Sequence, residues 1–270
     1  MTGTLNTAEL KSRSLVGVIG PDWRDFLQGL LSQDVETLAP GELRFGALLT
    51  PQGKLLFDLF ILGREDGCWL DVAAERREAL IQRLTIYKLR AKVEVAAVDA
   101  AVLALWGGEA ADWPTDPRLG ALGWRGYGVG APADATITDE AAYDAMRLGL
   151  GVPDPAGDCP PETAYPIEAN FDLLNGIDFQ KGCFVGQETT SRMKRRGVIK
   201  SRMLPIDFDG PAPAFGAEVL AGTLRAGEVH TGAGGRAMAL LRLDRIEGAS
   251  LTVDDRAVTV ATPAYLGTNA

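Results

Sequence analysis

Hairpins that alternate with single helices over the first two thirds predict an α+β protein, with two α/β subdomains of the split β-α-β, ferredoxin-like kind within residues 1–200. Short apolar stretches separated by Gly, Pro or Asp then predict a small β-barrel over 201–270. A third observation bounds the size. With 270 residues, 46% hydrophobic and 23% charged, the chain can bury a sizeable core.

Ser14–Ile19 is a short apolar run ended by Gly20-Pro21-Asp22, a turn that also caps a helix. In the next segment Trp23, Phe26, Leu27, Leu30 and Leu31 recur at the spacing of one helix face. A meander follows: Phe45–Leu49, a tight turn at Thr50-Pro51-Gln52-Gly53, Lys54–Leu62, and Cys68–Ala73. Ala74–Leu89 reads as a helix with Leu80, Leu84 and Tyr87 along one side. Val93–Val98 and Val102–Trp106 are strands, 107–117 is a loop, and Trp124–Gly128 is a further strand. Asp139 is the expected N-cap of a helix ending at Leu148. Five prolines between Gly149 and Pro166 predict an ordered loop on the surface. Met203–Phe208, Ala217–Ala221, Gly227–Thr231, Ala237–Leu243 and Val258–Ala261 supply the barrel strands.

The formal net charge is −9, which argues against a nucleic-acid or membrane-surface binder. Residues 181–202 run the other way, with seven Lys/Arg against one acid, Glu188. That net +6 leaves −15 on the remainder, a cationic island suited to a small anionic ligand. The three cysteines, Cys68, Cys159 and Cys183, form no C-x-x-C pair and no disulfide framework. They fit a reducing compartment. The single histidine, His230, removes His-based triads and His-rich zinc sites. The N-terminus lacks the apolar core of a signal peptide, and no run of roughly 18 apolar residues appears. A cytoplasmic monomer is expected. No G-x-G-x-x-G opening a helix, no G-x-x-x-x-G-K-[ST] and no G-x-S-x-G is present, so nucleotide-loop and nucleophile-elbow chemistry lack their motifs.

What remains centres on Gln180–Glu188, Q-K-G-C-F-V-G-Q-E. A cation such as Lys181 beside Cys183 favours the thiolate; the alternative is a small buried hydrophobe. Glu168, in the Pro-bounded A-Y-P-I-E-A-N-F, is either a carboxylate that receives N–H donors of a heterocycle or a helix-start acid. Asp58 interrupts L-L-F-D-L-F-I-L on the face of Leu56 and Phe60, as a site residue or an edge-strand acid. The basic run is a solvated face or the seat of a carboxylate-bearing tail.

K-G-C-F-V-G-Q-E, followed by T-T-S-R and R-R-G, resembles the K-G-C-[YF]-x-G-Q-E signature of the YgfZ family of folate-binding proteins. R-D-F-L-Q-G-L-L-S-Q-D-V, L-L-T-P-Q-G-K-L-L-F-D-L and Y-P-I-E-A-N-F are similar to the family's other blocks, in the same order. The resemblance covers residues 14–205 well and the rest loosely. It implies the fold of the glycine-cleavage T-protein, an aminomethyltransferase, with interleaved subdomains and a C-terminal barrel around a central channel for tetrahydrofolate. Glu168 matches the acid that holds the pterin, and Lys200 and Arg202 are placed near the folate's glutamate tail. Asp58 matches the second acid of the T-protein's D-D pair, and Phe57 stands in place of the first. Cys183 has no T-protein counterpart.

With half the acid pair gone and a thiol gained, the resemblance implies assistance in assembling or repairing [4Fe–4S] clusters through carrier or client proteins, more an assembly factor than an enzyme of conventional turnover. Cys183, Lys181 and Asp58 are then the candidate catalytic residues, and no resident metal is expected. A true aminomethyltransferase and a non-catalytic adaptor are the rival readings.

Overall fold

The apolar stretches fold as their patterns require, and a computed structural model describes residues 4–108, 112–197 and 199–269. Residues 1–3 of the N-terminal stretch, 109–111 of the expected loop at 107–117, Val198 and the side chain of Arg196 in the basic run lie outside the described residues.

In chain order, β1 (Asn6–Glu9) and β2 (Arg13–Ile19) precede α1 (Trp23–Gln28). The meander is β3 (Leu43–Leu49), β4 (Leu55–Arg64) and β5 (Gly67–Ala73), followed by α2 (Arg77–Tyr87). Then come β6 (Glu94–Val98), β7 (Val102–Trp106), β8 (Trp124–Tyr127), β9 (Thr136–Ile137), α3 (Glu140–Gly149), α4 (Pro155–Asp158) and α5 (Gln187–Arg196). The strands β10 (Ser201–Phe208), β11 (Glu218–Ala221), β12 (Leu224–Ala233), β13 (Arg236–Arg242), β14 (Leu251–Val253) and β15 (Arg256–Val260) complete the chain.

These strands make a five-stranded sheet in the order β3-β4-β5-β2-β6, a four-stranded sheet in the order β8-β7-β1-β9, and a closed barrel. In the larger sheet β2, β4, β5 and β6 hold the order of a split β-α-β unit, with β3 added at the edge. The chain leaves the smaller sheet after β1 and returns to it at β7, so the two α/β units are interleaved. The barrel closes where Ile206–Phe208 pairs with Val258–Val260.

Alternation along β2 and β4 gives the larger sheet two apolar faces. Val16, Val18, Leu59 and Ile61 meet α1 and α2 on one side. Leu15, Phe60 and Leu62 share the other side with β1, β7, α3, Phe171, Phe184 and Met203. A bulge opposite Leu48/Leu49 resets the register of β4. Leu56 therefore packs with the helix-side cluster, and Asp58 shares its face with Phe60 but not with Leu56.

Asp139 caps α3, accepting from the Ala142 amide at 2.9 Å. The proline-rich stretch from 149 to 166 differs from expectation, because much of it is interior: Val152, Asp158 and Cys159 are buried. Asp158 receives the Thr231 amide of β12 at 3.0 Å and the Asp154 amide at 2.8 Å. Its prolines remove donors that an interior segment would otherwise have to satisfy, which makes this a strap between barrel and sheets.

Candidate functional site

The loop that carries Cys183 is held by residues on both sides of the thiol. Asp178 accepts the Gln180 and Lys181 amides at 2.7 and 3.2 Å, a tight side-chain-to-backbone turn. Phe184 is buried in the core shared by the two sheets, worth about 1.5–3 kcal/mol. The Val185 amide donates to Gly29 O at 3.1 Å. Gly186, with φ +80, precedes α5 and lies against the β3–β4 turn. A Cβ there would meet Thr50 O at 2.6 Å and Gly53 Cα at 2.9 Å, so the glycine is a requirement of both space and backbone.

Lys181 holds the loop from below. Its Nζ donates to the carbonyls of Gln28, Leu31 and Gln33 at 2.8, 2.7 and 2.8 Å, just past the end of α1, where helical carbonyls lack partners. An ammonium has three donors, and all three are used. Burial lowers its pKa to about 8, against the pull of Asp34, Asp178 and Glu36. Lys181 therefore has no N–H left to offer a neighbouring thiol. The sequence places it two residues from Cys183; the fold uses it as an anchor.

Cys183 itself is exposed, whereas Cys68 and Cys159 are buried. Burial pushes both interior thiols well up, which leaves them inert. Beside Cys183 an open groove of about 630 Å³ is lined by Pro51, Phe179, Phe184, Glu188, Lys194 and Arg195. Lys194 lies 5.2 Å over the Phe179 ring. Among the described residues no three His, Cys, Asp or Glu side chains gather as a metal-binding set.

Asp58 belongs to a different place. Arg13 donates to it at 2.8 Å and to Asp71 at 2.6 Å. Arg125 continues the chain to Asp71 and Asp116 at 2.9 and 3.1 Å, and Arg118 also holds Asp116, at 2.8 Å. Tyr127 donates to Asp71 at 3.1 Å, and the Arg125 guanidinium lies 3.6 Å over the Phe60 ring. Burial alone would raise the Asp116 carboxyl, but Arg118 and Arg125 hold it down to about 2. The free space among these charges is about 20 Å³, room for about one water. A larger opening, about 290 Å³, lies on the other side of Asp58, lined by Phe57, Glu75, Arg76, Cys159 and Pro161.

Cys159 lines that opening together with Asp58, whereas Glu168 does not. Its Oε2 accepts the Tyr165 amide at 2.8 Å, and its Oε1 has no partner among the described residues. Arg202 is buried and committed: it forms a two-pronged pair with Asp172 at 2.9 Å and also donates to Ile167 O and Asn170. Those contacts occupy both Arg202 amino groups, while Lys200 is exposed. The fold thus brings Asp58 and Cys159 to one opening and packs the loop of Lys181 and Cys183 against the β3–β4 turn through Gly186. That turn touches both groups: Gly53 meets Gly186, and Lys54 Nζ donates to Thr163 O at 2.6 Å.

Sequence reasoning passed over Arg13, Asp71, Asp116, Arg118 and Arg125. The signal was available for two of them, since Asp71 and Arg125 interrupt apolar strands just as Asp58 does.

The comparisons with known proteins fit this architecture. Residues 200–268 match the model of the CAF17 C-terminal beta-barrel domain. The solved aminomethyltransferase T of the glycine cleavage system from Bartonella henselae superposes with a TM-score of 0.78 over 98% of this chain and 87% of its own, at 18% identity; this shows the fold. The human iron-sulfur cluster assembly factor IBA57, mitochondrial, is 31% identical over 277 residues, covering 88% of this chain and 78% of the relative. The Neurospora crassa homologue is 33% identical over 244 residues, covering 78% of this chain. This chain spans 56% and 58% of the length of the Neurospora crassa and Mycosarcoma maydis relatives. All these IBA57 relatives are named as mitochondrial, which overturns the expectation of a cytoplasmic protein. Unpaired cysteines point to a reducing environment without saying which one. By identity and coverage, the chain belongs to the family of the iron–sulfur cluster assembly factor IBA57.

Proposed function

We propose that this protein assists the assembly or repair of [4Fe–4S] clusters in client enzymes, acting as a monomer, with Cys183 as the thiol that meets the carrier or client. The observation that carries this reading is an exposed cysteine on a loop whose other residues are anchored. The relatives' name supports it. One thiol cannot hold a cluster that takes four ligands, so Cys183 acts together with ligands on the partner. A deletion strain that keeps full aconitase-type activity under oxidative stress would sink the role. Cys183→Ala is expected not to restore that activity; equal restoration would remove the thiol from the mechanism.

We further infer that tetrahydrofolate binds beside Asp58 and Glu168, which is the reading offered by the resemblance to the YgfZ family. The free Oε1 of the half-buried Glu168 suits a pterin N–H. The 290 Å³ opening at Asp58 stands at the lower edge of the roughly 300–1,000 Å³ of small-molecule sites, a fit for the ring more than for the whole ligand. Arg202 is spent on Asp172, so Lys200 is left as the tail's cation. Bound there, the folate would supply a one-carbon or redox-active pterin, and this chain's residues would orient it. Asp58 serves that site as the partner of Arg13 rather than as a free base. Calorimetry with tetrahydrofolate is expected to show binding that Glu168→Ala weakens; no heat at millimolar ligand would remove the folate.

A further inference from the structure

Few bonds join the proline-rich strap to the rest of the molecule. Within 153–161, Pro153, Pro155, Pro160 and Pro161 have no amide hydrogen to give. The amides of Asp154, Gly157, Asp158 and Cys159 all donate inside the strap. Among the described residues, its only outward backbone bonds are at Pro160 O, which accepts the amide and hydroxyl of nearby Thr163. The posts on either side are firm. Val152 is held by Arg147 at both its amide and its carbonyl, at 3.1 and 2.9 Å, and the Glu162 amide donates to Leu55 O at 2.8 Å. Glu162 is exposed and has φ +64. That left-handed backbone is costly for a glutamate, and strain of this kind collects where a segment switches between positions.

Asp158 is the clasp. Its Oδ1 accepts the Thr231 amide and hydroxyl of β12 at 3.0 and 2.5 Å, and Arg147 lies 3.7 Å from Oδ2. Asp154 is held more loosely, since its carboxylate makes no hydrogen bond and no ion pair among the described residues. Burial alone would raise its pKa, but Arg147, Arg13, Arg118 and Arg125 keep it below the ordinary value. Attraction without a directed bond holds the strap down and releases it without stranding a donor.

The strap also divides two spaces. Asp154 lines the slot of about 20 Å³ with Arg13, Arg118, Arg125 and Arg147. Its neighbours Pro155, Ala156 and Cys159 line the opening of about 290 Å³ with Asp58. Arg13 borders the slot and Asp58 the opening, and the two are 2.8 Å apart.

We infer that residues 153–161 are a lid, clasped to the barrel by Asp158, which on lifting joins the slot and the opening into one chamber. The inference rests on the folate reading for its ligand. Closed, the opening suits the ring more than the whole molecule; lifted, the lid adds the slot and the space of its own side chains. That brings the site within the roughly 300–1,000 Å³ of small-molecule pockets.

Cys159 reports on the lid with no ligand present. In Cys183→Ser protein, alkylation of Cys159 by iodoacetamide, read by mass spectrometry, is expected to run at least about tenfold faster than that of Cys68 in the core. Thr231→Val removes one donor from the clasp and is expected to speed Cys159 by about another tenfold. Cys68 should not change; equal acceleration there would mean global unfolding and overturn the lid. A Cβ on Gly157 would stand 3.2 Å from Thr231 Cγ2, close enough for Gly157→Cys with Thr231→Cys to form a disulfide. Oxidised, this pair is expected to slow Cys159 at least about tenfold below the Cys183→Ser parent. Equal rates in the parent, Thr231→Val and the oxidised pair would overturn the lid.

Calorimetry separates the lid from the folate. Tetrahydrofolate is expected to bind the Cys183→Ser parent and to lose about tenfold or more in affinity for the oxidised pair, with recovery on reduction. Equal affinity for both overturns the lid and leaves the folate. No heat with the parent, while Cys159 still answers to the clasp and the disulfide, leaves the lid and removes the folate.

Discussion

The charged junction around Asp58 and the loop around Cys183 place reactive groups in opposite settings. At the junction every strand-borne charge is buried and paired, Asp58 with Arg13 and Asp71 with both Arg13 and Arg125. On the loop the Cys183 thiol is in solvent, and Phe184 beside it is buried. A transferase-like fold has here been given a locked interior and an outward thiol. Groups that hold one another rigidly are poor acid–base catalysts, whereas an exposed thiol on an anchored loop is open to solvent.

The contrast is open to direct attack, beginning with the junction. Arg125→Met strips one partner each from Asp71 and Asp116 and is expected to cost about 3–5 kcal/mol in urea unfolding. Reaction of Cys183 with a maleimide under native conditions is expected to be unchanged. Asp116 adds a pH signature, since its folded carboxyl sits at about 2 and an ordinary one at 3.8. The stability it contributes is full above the ordinary value and is lost as pH falls toward 2. Asp116→Asn is expected to flatten that part of the acid-unfolding curve.

Lys181→Met tests the loop from inside. Three carbonyls lose their donor, an expected loss of about 1–3 kcal/mol, and protease cleavage between 178 and 186 should speed up. An unchanged cleavage rate would mean the anchor is dispensable. Gly186→Ala is expected to cost about 1–2 kcal/mol through its left-handed backbone, with a further penalty if Thr50 cannot yield. Cys183→Ser should shift the melting curve by less than about 0.5 kcal/mol; a larger shift would mean that the thiol is part of the packing.

Periodicity revealed most of the scaffold. β2 and β4 came from apolar runs and α3 from its cap, because in each the burial pattern is local. α1 ends at Gln28 rather than at Leu31; Leu30 and Leu31 still lie on the helix side of the sheet, so the spacing identified the face but not the end. The inner strand β1, the edge strand β9 and the helix α5 were not evident, since the strands are short and the helix is polar except for Met193. Asp58 was recognisable as an anomaly on a strand, but its pairing with Arg13 depends on a contact across 45 positions. The motif singled out both Lys181 and Cys183. That one faces inward and the other outward is decided by the carbonyls at the end of α1, which no local pattern displays.

The seating of the thiol loop also has a consequence in time. Lys181 reaches a carbonyl 150 positions earlier in the chain, and at about 5–20 residues per second the ribosome needs roughly eight to thirty seconds to make that interval. Through this interval the carbonyls at the end of α1 have been made and the ammonium that satisfies them has not. A nascent chain stalled before residue 181 should therefore show a cleft that the complete protein has closed, and chaperones or premature partners have that long to find it.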